Sequence, residues 1–265
     1  MARAAGGAEY VTDGIILRAV TTGEADRILT LMTRAFGKVS AVARSAQKSR
    51  SRFGGALSAF VVGQATLRER RGSELMTLEA FDALHDFTAI ANDPVTYAHA
   101  SYATELVREL SAPRHADVAA FELLAELYQT VAGHPPASDT LRAFELRLLD
   151  DLGLRPVLDR CLACGSDDET ILDTPGAVMD PGLGGLRCYR CAAMARGAGI
   201  RPLPAAARRR LIELADAALA DAATVAPLPA EHAARAREAL HALFAAHLPG
   251  PLRTLEFIQQ LRHPT

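Results

Sequence analysis

The sequence predicts an α+β chain: a small N-terminal β-barrel, then an all-α region interrupted by a compact four-cysteine module. Three observations carry this. Five short β-prone runs fall within the first 81 residues. Beyond Phe81, apolar residues recur at helical spacing. All four cysteines stand as two CxxC pairs, Cys161 with Cys164 and Cys188 with Cys191, 23 residues apart.

Residues 1–9 read as a flexible leader, with no apolar stretch long enough for a signal peptide. The β-prone runs are Gly14 to Val20, Arg27 to Thr33, Gly37 to Ala43, Phe60 to Leu67 and Leu75 to Phe81. Gly23 turns the first pair and Arg71-Gly72 the last, as hairpins require. Five short strands without a long helix fit a small closed barrel, of the OB or the SH3-like kind.

Asp93-Pro94 opens the first helix, a capping side chain followed by proline at the first helical position. A second helix begins near Asp117 and stops at His134-Pro135-Pro136. Ser138 is the expected cap of a third, with Leu141, Phe144, Leu148 and Leu152 as its stripe and Gly153 as its end. After the cysteine module, helices are expected from Pro204 to about Leu219, from Ala230 to Leu248 and from Leu252 to Leu261. The boundaries are therefore 1–82 for the barrel, 83–160 with 197–265 for the helical domain, and 161–196 for the module.

Two residues between paired cysteines let both thiolates of a tight turn face one centre, and two such turns complete a tetrahedron. Zn²⁺ suits this set. Two disulfides or four core thiols are the competing readings, and disulfides need an oxidising compartment. Four thiolates close the shell, so the metal, Cys161, Cys164, Cys188 and Cys191 as its ligands, is expected to be structural.

The net charge of −2 conceals a division. Residues 1–78 hold 12 Lys+Arg and 6 Asp+Glu, residues 79–160 hold 6 and 14, and residues 161–265 hold 11 of each. A basic barrel beside an acidic middle points to a polyanion partner for one end only. No apolar run approaches the ~20 residues of a membrane span, so a soluble, cytoplasmic protein is expected.

The sharpest cationic stretch is Arg44 to Gly55, where Arg44, Lys48, Arg50 and Arg52 lie within nine residues without an acid. Lys and Arg make phosphate contacts by charge and, for Arg, by a planar donor fork. A solvated surface loop is the plain alternative. Arg34, Lys38, Arg68, Arg70 and Arg71 add to the same region, whereas the loop around Glu24 and Asp26 is acidic. There is no Trp, and aromatics are 5%, so binding dominated by the phosphate backbone, to single or double strands, is expected over base stacking. The eight histidines are scattered without the spacing of a catalytic or zinc-protease motif. Gly182-Leu183-Gly184-Gly185 lacks the lysine of a phosphate loop, and Asp150-Asp151 ends a helix. Arg208-Arg209-Arg210 reads as an exposed helical face.

In order along the chain, four N-terminal stretches resemble the RecO family of bacterial DNA repair and recombination-mediator proteins. They are Asp13 to Arg18, Gly23 to Thr30, Gly37 to Arg44 and Lys48 to Leu57. Phe144 to Leu149 with Gly153, Asp159 to Gly165 and Gly184 to Cys191 resemble the family's helix-to-zinc junction and zinc module. The resemblance implies an N-terminal OB-fold, a helical domain and a zinc module. It implies DNA binding, strand annealing, and cooperation with RecR in exchanging single-strand-binding protein for RecA, without enzymatic catalysis. A surface among the helices is then expected to hold a tail of single-strand-binding protein, with Arg142, Arg147 and Arg208 to Arg210 as candidate cations. Leu252-Arg253-Thr254 departs from the family's Leu-Lys-Ser-like element. A zinc-ribbon factor acting on RNA or in transcription is the rival reading. A metalloenzyme would need an open metal position.

Overall fold

A computed structural model describes residues 7–46, 48–53, 56–194 and 199–262. The chain forms two compact units, Met1–Gly133 with Thr254–Thr265, and His134–Arg253.

In the first unit, β1 (Glu9–Thr22), β2 (Asp26–Thr33), β3 (Gly37–Ala43), β4 (Val61–Arg70) and β5 (Ser73–Asp86) close into a barrel in the order β1-β2-β3-β5-β4. This is the OB-like arrangement. The side-chain period of two decides the faces: Leu29 and Leu31 of β2 point into the core, and Ile28 and Thr30 point outward. β1 reaches around the barrel, pairing with β4 through its first half and with β2 through its second. The seam between β3 and β5 is parallel and short, Ala41 opposite Met76 and Val42 opposite Thr77. Between β3 and β4, the short α1 (Arg50–Phe53) drops Phe53 into the core, and Leu57 follows it.

The same unit carries a 3₁₀ turn at Thr88–Asn92, α2 (Pro94–Leu110), α3 (Val118–Gly133) and the terminal α10 (Arg253–Arg262). α2 starts as the sequence says: Asp93 Oδ1 accepts from the Thr96 N–H at 2.7 Å, with Pro94 next. Asp117 caps α3 through the Ala120 N–H at 3.0 Å.

The second unit packs α4 (Ser138–Asp151), α7 (Ala205–Ala215), α8 (Leu219–Ala222) and α9 (Ala230–Ala245) beside a four-stranded sheet. Three helix limits differ from expectation, and the helix expected to reach Leu248 stops at Ala245. Ser138 is the first helical residue of α4 and Ala137 holds the cap position without a side-chain bond. Asp139 supplies the negative group that the exposed N–H groups of that first turn favour. The helix expected to reach Leu219 stops at Ala215, and α8 is separate. The sheet runs β6 (Val157–Cys161), β8 (Gly185–Cys188), β7 (Ala177–Asp180) and β9 (Arg201–Leu203) in spatial order, with α5 (Glu169–Asp173) and α6 (Tyr189–Ala192) in its connections.

Candidate metal centre and nucleic-acid interface

The two cysteine pairs come together at one end of the small sheet. Cys161 ends β6 and Cys188 ends β8, and these strands run parallel, so both sulfurs arrive at the same end. The first turn is tight: the Gly165 N–H donates to Cys161 O at 2.8 Å, and the Leu162 N–H to Leu186 O at 2.8 Å. β6 and β8 approach closely at Gly185, where an added Cβ would lie 2.7 Å from Val157 O and from a Leu162 methyl carbon. Only glycine admits that approach.

The four Sγ atoms lie within 4.8 Å of one another, and Cys164 and Cys188 are 4.0 Å apart. A tetrahedron with metal–sulfur bonds of about 2.3 Å sets its sulfurs about 3.8 Å apart, whereas a disulfide closes to about 2.0 Å. The thiols are free, with Cys161 and Cys188 buried. Their electrostatics point the same way. Burial alone would push the Cys161 thiol up, but N–H groups of Cys188, Cys164 and Ala163 outweigh it and bring it down to about 6. Cys191 is pushed up to about 12 by its hydrogen bond to Cys188, by burial and by the other sulfurs. One thiolate thus resists the next, and a dication among the four removes that resistance. The donor set can hold a metal ion.

The module is anchored from behind by an arginine. Arg208 on α7 is 2% exposed, and its Nη2 donates to Asp173 Oδ1 at 2.9 Å and its Nη1 to Leu158 O at 3.2 Å. It thereby ties α7 to the end of α5 and to β6. Arg209 reaches the other oxygen of Asp173 at 3.1 Å, and Arg210 pairs with Asp139. The expected exposed arginine face is therefore corrected: helical spacing turns Arg208 inward, where Asp173 compensates its charge. Arg142 is likewise buried, paired with Glu145 at 2.6 Å.

On the barrel, the cationic residues fall into two groups. Arg44 and Lys48 are exposed on the turn after β3, which the Ser45 carbonyl organises by accepting the Lys48 and Ser49 N–H groups at 3.0 Å. Arg52 is bound within this turn, its Nη2 donating to Arg44 O at 2.7 Å and its Nε to Ser49 Oγ at 2.9 Å. The side chain of Arg50, with Gly54 and Gly55, lies outside the described residues. Arg70 and Arg71 stand exposed at the β4–β5 turn, beside a groove of 450 Å³ that Arg114 also lines.

Register separates the groups. Arg70 faces Ser73, and Val42 faces Thr77, so Arg44 lies level with Glu79. The six residue steps of β5 from Ser73 to Glu79 span about 20 Å. The remaining candidates are engaged. Arg34 lies 2.6 Å from Glu122 and 3.6 Å from Asp13. Arg68 lies between Glu9 and Glu79, at 2.7 and 3.4 Å. Lys38 Nζ donates to Arg108 O at 2.5 Å, and burial first, then Arg108, lowers its pKa against the opposing pull of Glu109.

Between the groups runs an outward strip that the loop-centred reading of the sequence passed over: Arg18 opposite Thr30, and Thr30 opposite Ser40. Thr30 and Ser40 alternate with core positions, and that alternation was the available signal; Arg18 instead follows the buried run Ile15 to Leu17 at a bulge in β1.

Comparison with known proteins agrees over nearly the whole chain. Residues 8–87 match the family described as Recombination protein O N terminal, and residues 91–256 match Recombination protein O C terminal. The DNA repair protein RecO of Anaeromyxobacter sp. strain K is 40% identical over 251 residues, which cover 94% of this chain and 95% of that protein. That of Symbiobacterium thermophilum is 37% identical over 255 residues, covering 96% and 98%. That of Myxococcus xanthus is 35% identical over 254 residues, covering 95% and 98%. Among the described residues no helix is long and apolar enough to cross a membrane. With its closed five-stranded barrel, helical region and four-cysteine cluster, the chain belongs to the RecO family of DNA repair proteins.

Proposed function

We propose that the chain is a non-enzymatic recombination mediator. It binds single- and double-stranded DNA, anneals complementary strands and, with RecR, helps exchange single-strand-binding protein for RecA in the cytoplasm, at the nucleoid. The observation that carries this reading is the set Arg44, Lys48, Arg70 and Arg71. These are exposed cations with no ion pair among the described residues, at both ends of one barrel wall in a RecO-family chain. Arg50 and Arg52 add charge to the first end, and Arg34, Lys38 and Arg68 contribute field from within their own pairings. Annealing needs no reacting side chain. Cations that neutralise phosphates of two strands lower the repulsion between them, and base pairing supplies the rest.

Cys161, Cys164, Cys188 and Cys191 hold one structural Zn²⁺ in this reading. When bound, zinc supplies a closed tetrahedral link and no open coordination position. The chain's own residues set the turns: Gly165 closes the first and Gly185 lets the two strands approach.

The test is strand annealing on DNA coated with single-strand-binding protein, with and without RecR. Annealing that RecR modulates is the expected result. Tight RNA binding with no DNA annealing would favour the zinc-ribbon RNA or transcription factor.

A further inference from the structure

A groove of 420 Å³ in the barrel unit lies between the ends of β4 and β5 and the outer side of α3. Rings form one wall: His85 and Phe87 are stacked, their centroids 6.1 Å apart at 19°. Phe121, 3% exposed, contributes a third ring. Glu122 and Glu126 line the other wall one helical turn apart, as positions four residues apart must.

The chain itself shows which group suits such walls. Arg34, from the β2–β3 turn, lies at the groove with its Nη1 2.6 Å from Glu122 Oε1. Its guanidinium carbon is 5.0 Å from the centroid of Phe121. A planar cation is held between a carboxylate and an aromatic face. Farther along, Glu126 faces the same groove as Phe87 and His85, repeating the combination of acid and ring. Within this unit, residues 79–133 carry 9 acids against 2 bases. That field repels phosphates and draws cations. A guanidinium stacks on rings and donates in a plane to a carboxylate, which an ammonium does less well.

We propose that this groove receives an arginine-bearing segment of a protein partner. The site is distinct from the cationic ends of the barrel assigned to DNA, and it stands whether or not that assignment does.

The experiment uses the full chain and a fluorescein-labelled peptide of alternating arginine and serine, followed by anisotropy beside its lysine counterpart. The arginine peptide binds more tightly. Glu126→Lys, and Ala125→Trp filling the groove, each weaken it about tenfold, the scale of one exposed ion pair with one cation–π contact. Ala125→Gln is a second filling variant should the tryptophan prevent folding. Asp82→Lys, the same change of charge on β5 outside the groove lining, leaves affinity within about twofold. Equal binding of both peptides with equal losses in Asp82→Lys and Glu126→Lys would reduce the effect to diffuse charge and overturn the proposal. So would wild-type affinity in the folded filling variants, or displacement of the peptide from the groove by a single-stranded oligonucleotide.

Discussion

Glu105 on α2 accepts both the backbone N–H and the hydroxyl of Thr254, at 2.9 and 2.7 Å, so a carboxylate 149 positions earlier caps the last helix of the chain. The carboxylate is 6% exposed and also receives Arg108 Nη2 at 3.1 Å. Phe257 of α10 meets Tyr97 of α2 edge-on, 5.9 Å between centroids. The departure from the family's Leu-Lys-Ser-like element therefore keeps a hydroxyl where Glu105 needs one. Thr254→Val should lower the opening free energy of α10 by about 1–2 kcal/mol, read by hydrogen exchange of its amides. Thr254→Ser should be close to neutral. Equal protection in the valine variant would mean that the backbone N–H bond and packing hold the helix without the hydroxyl.

Arg208 and Arg209 are neighbours that share one acceptor, Asp173, yet they differ in burial, 2% against 58% side-chain exposure. Arg208→Ala leaves Asp173 Oδ1 and the buried Leu158 carbonyl without their donor, and should cost about 3 kcal/mol in urea denaturation. Arg209→Ala should stay within about 0.5 kcal/mol. A reversed order would show that the ion pair with the exposed arginine is the one that fastens the module.

Metal analysis should find one zinc per chain in the purified protein. Cys161→Ser or Cys188→Ser should abolish it, as should Gly185→Ala, whose added methyl forces β6 from β8. Structural zinc in small modules is worth roughly 10–16 kcal/mol apparent, so a chelator should unfold the β6–β9 sheet first. Two cystine bridges in metal-free protein would contradict the assignment.

For single-stranded DNA, four phosphates neutralised by Arg44, Lys48, Arg70 and Arg71 give a slope of log K against log salt of about −3. Arg44→Ala with Lys48→Ala should flatten it by about 1.4, and Arg70→Ala with Arg71→Ala by the same amount. An oligonucleotide too short to span about 20 Å along the barrel wall should respond to only one pair. An unchanged slope in both folded double variants would remove these ends of the barrel from the DNA contact.

Tyr128 sets an alkaline limit. Burial raises its phenol well above the ordinary tyrosine value, with the hydrogen bond to Thr104 Oγ1 at 2.6 Å opposing. The folded state thus keeps the proton that the unfolded chain releases near pH 10. Its contribution is whole below that pH and declines above it, by up to about 1.4 kcal/mol per pH unit. Tyr128→Phe should flatten this part of the pH–stability curve while costing about 1 kcal/mol at pH 7 through the lost hydrogen bond. The same alkaline slope in the phenylalanine variant would assign it to another group.

Local signals proved legible where one residue type has one physical use. Asp93-Pro94 announced its helix, β-prone runs parted by glycine turns announced the strands, and the CxxC pairs announced the cluster of sulfurs. Charge was harder to read, because a cation's partner lies far along the chain. Nothing near Arg208 reveals Asp173, nothing near Lys38 reveals the Arg108 carbonyl, and nothing near Thr254 reveals Glu105. The loop from Arg44 to Arg52 and the turn at Arg70 look like one basic region in sequence. Only the pairing of β3 with β5 shows that they occupy opposite ends of a wall.

Because the five strands form a closed ring, every strand of the barrel has a strand on each side, and the ring has no edge strand. Recognition by adding a strand to a sheet edge is thereby disfavoured for this barrel. Whatever it holds must be read by turns and outward side chains, which can change from one species to another while the interior from Ile16 to Phe81 stays as it is.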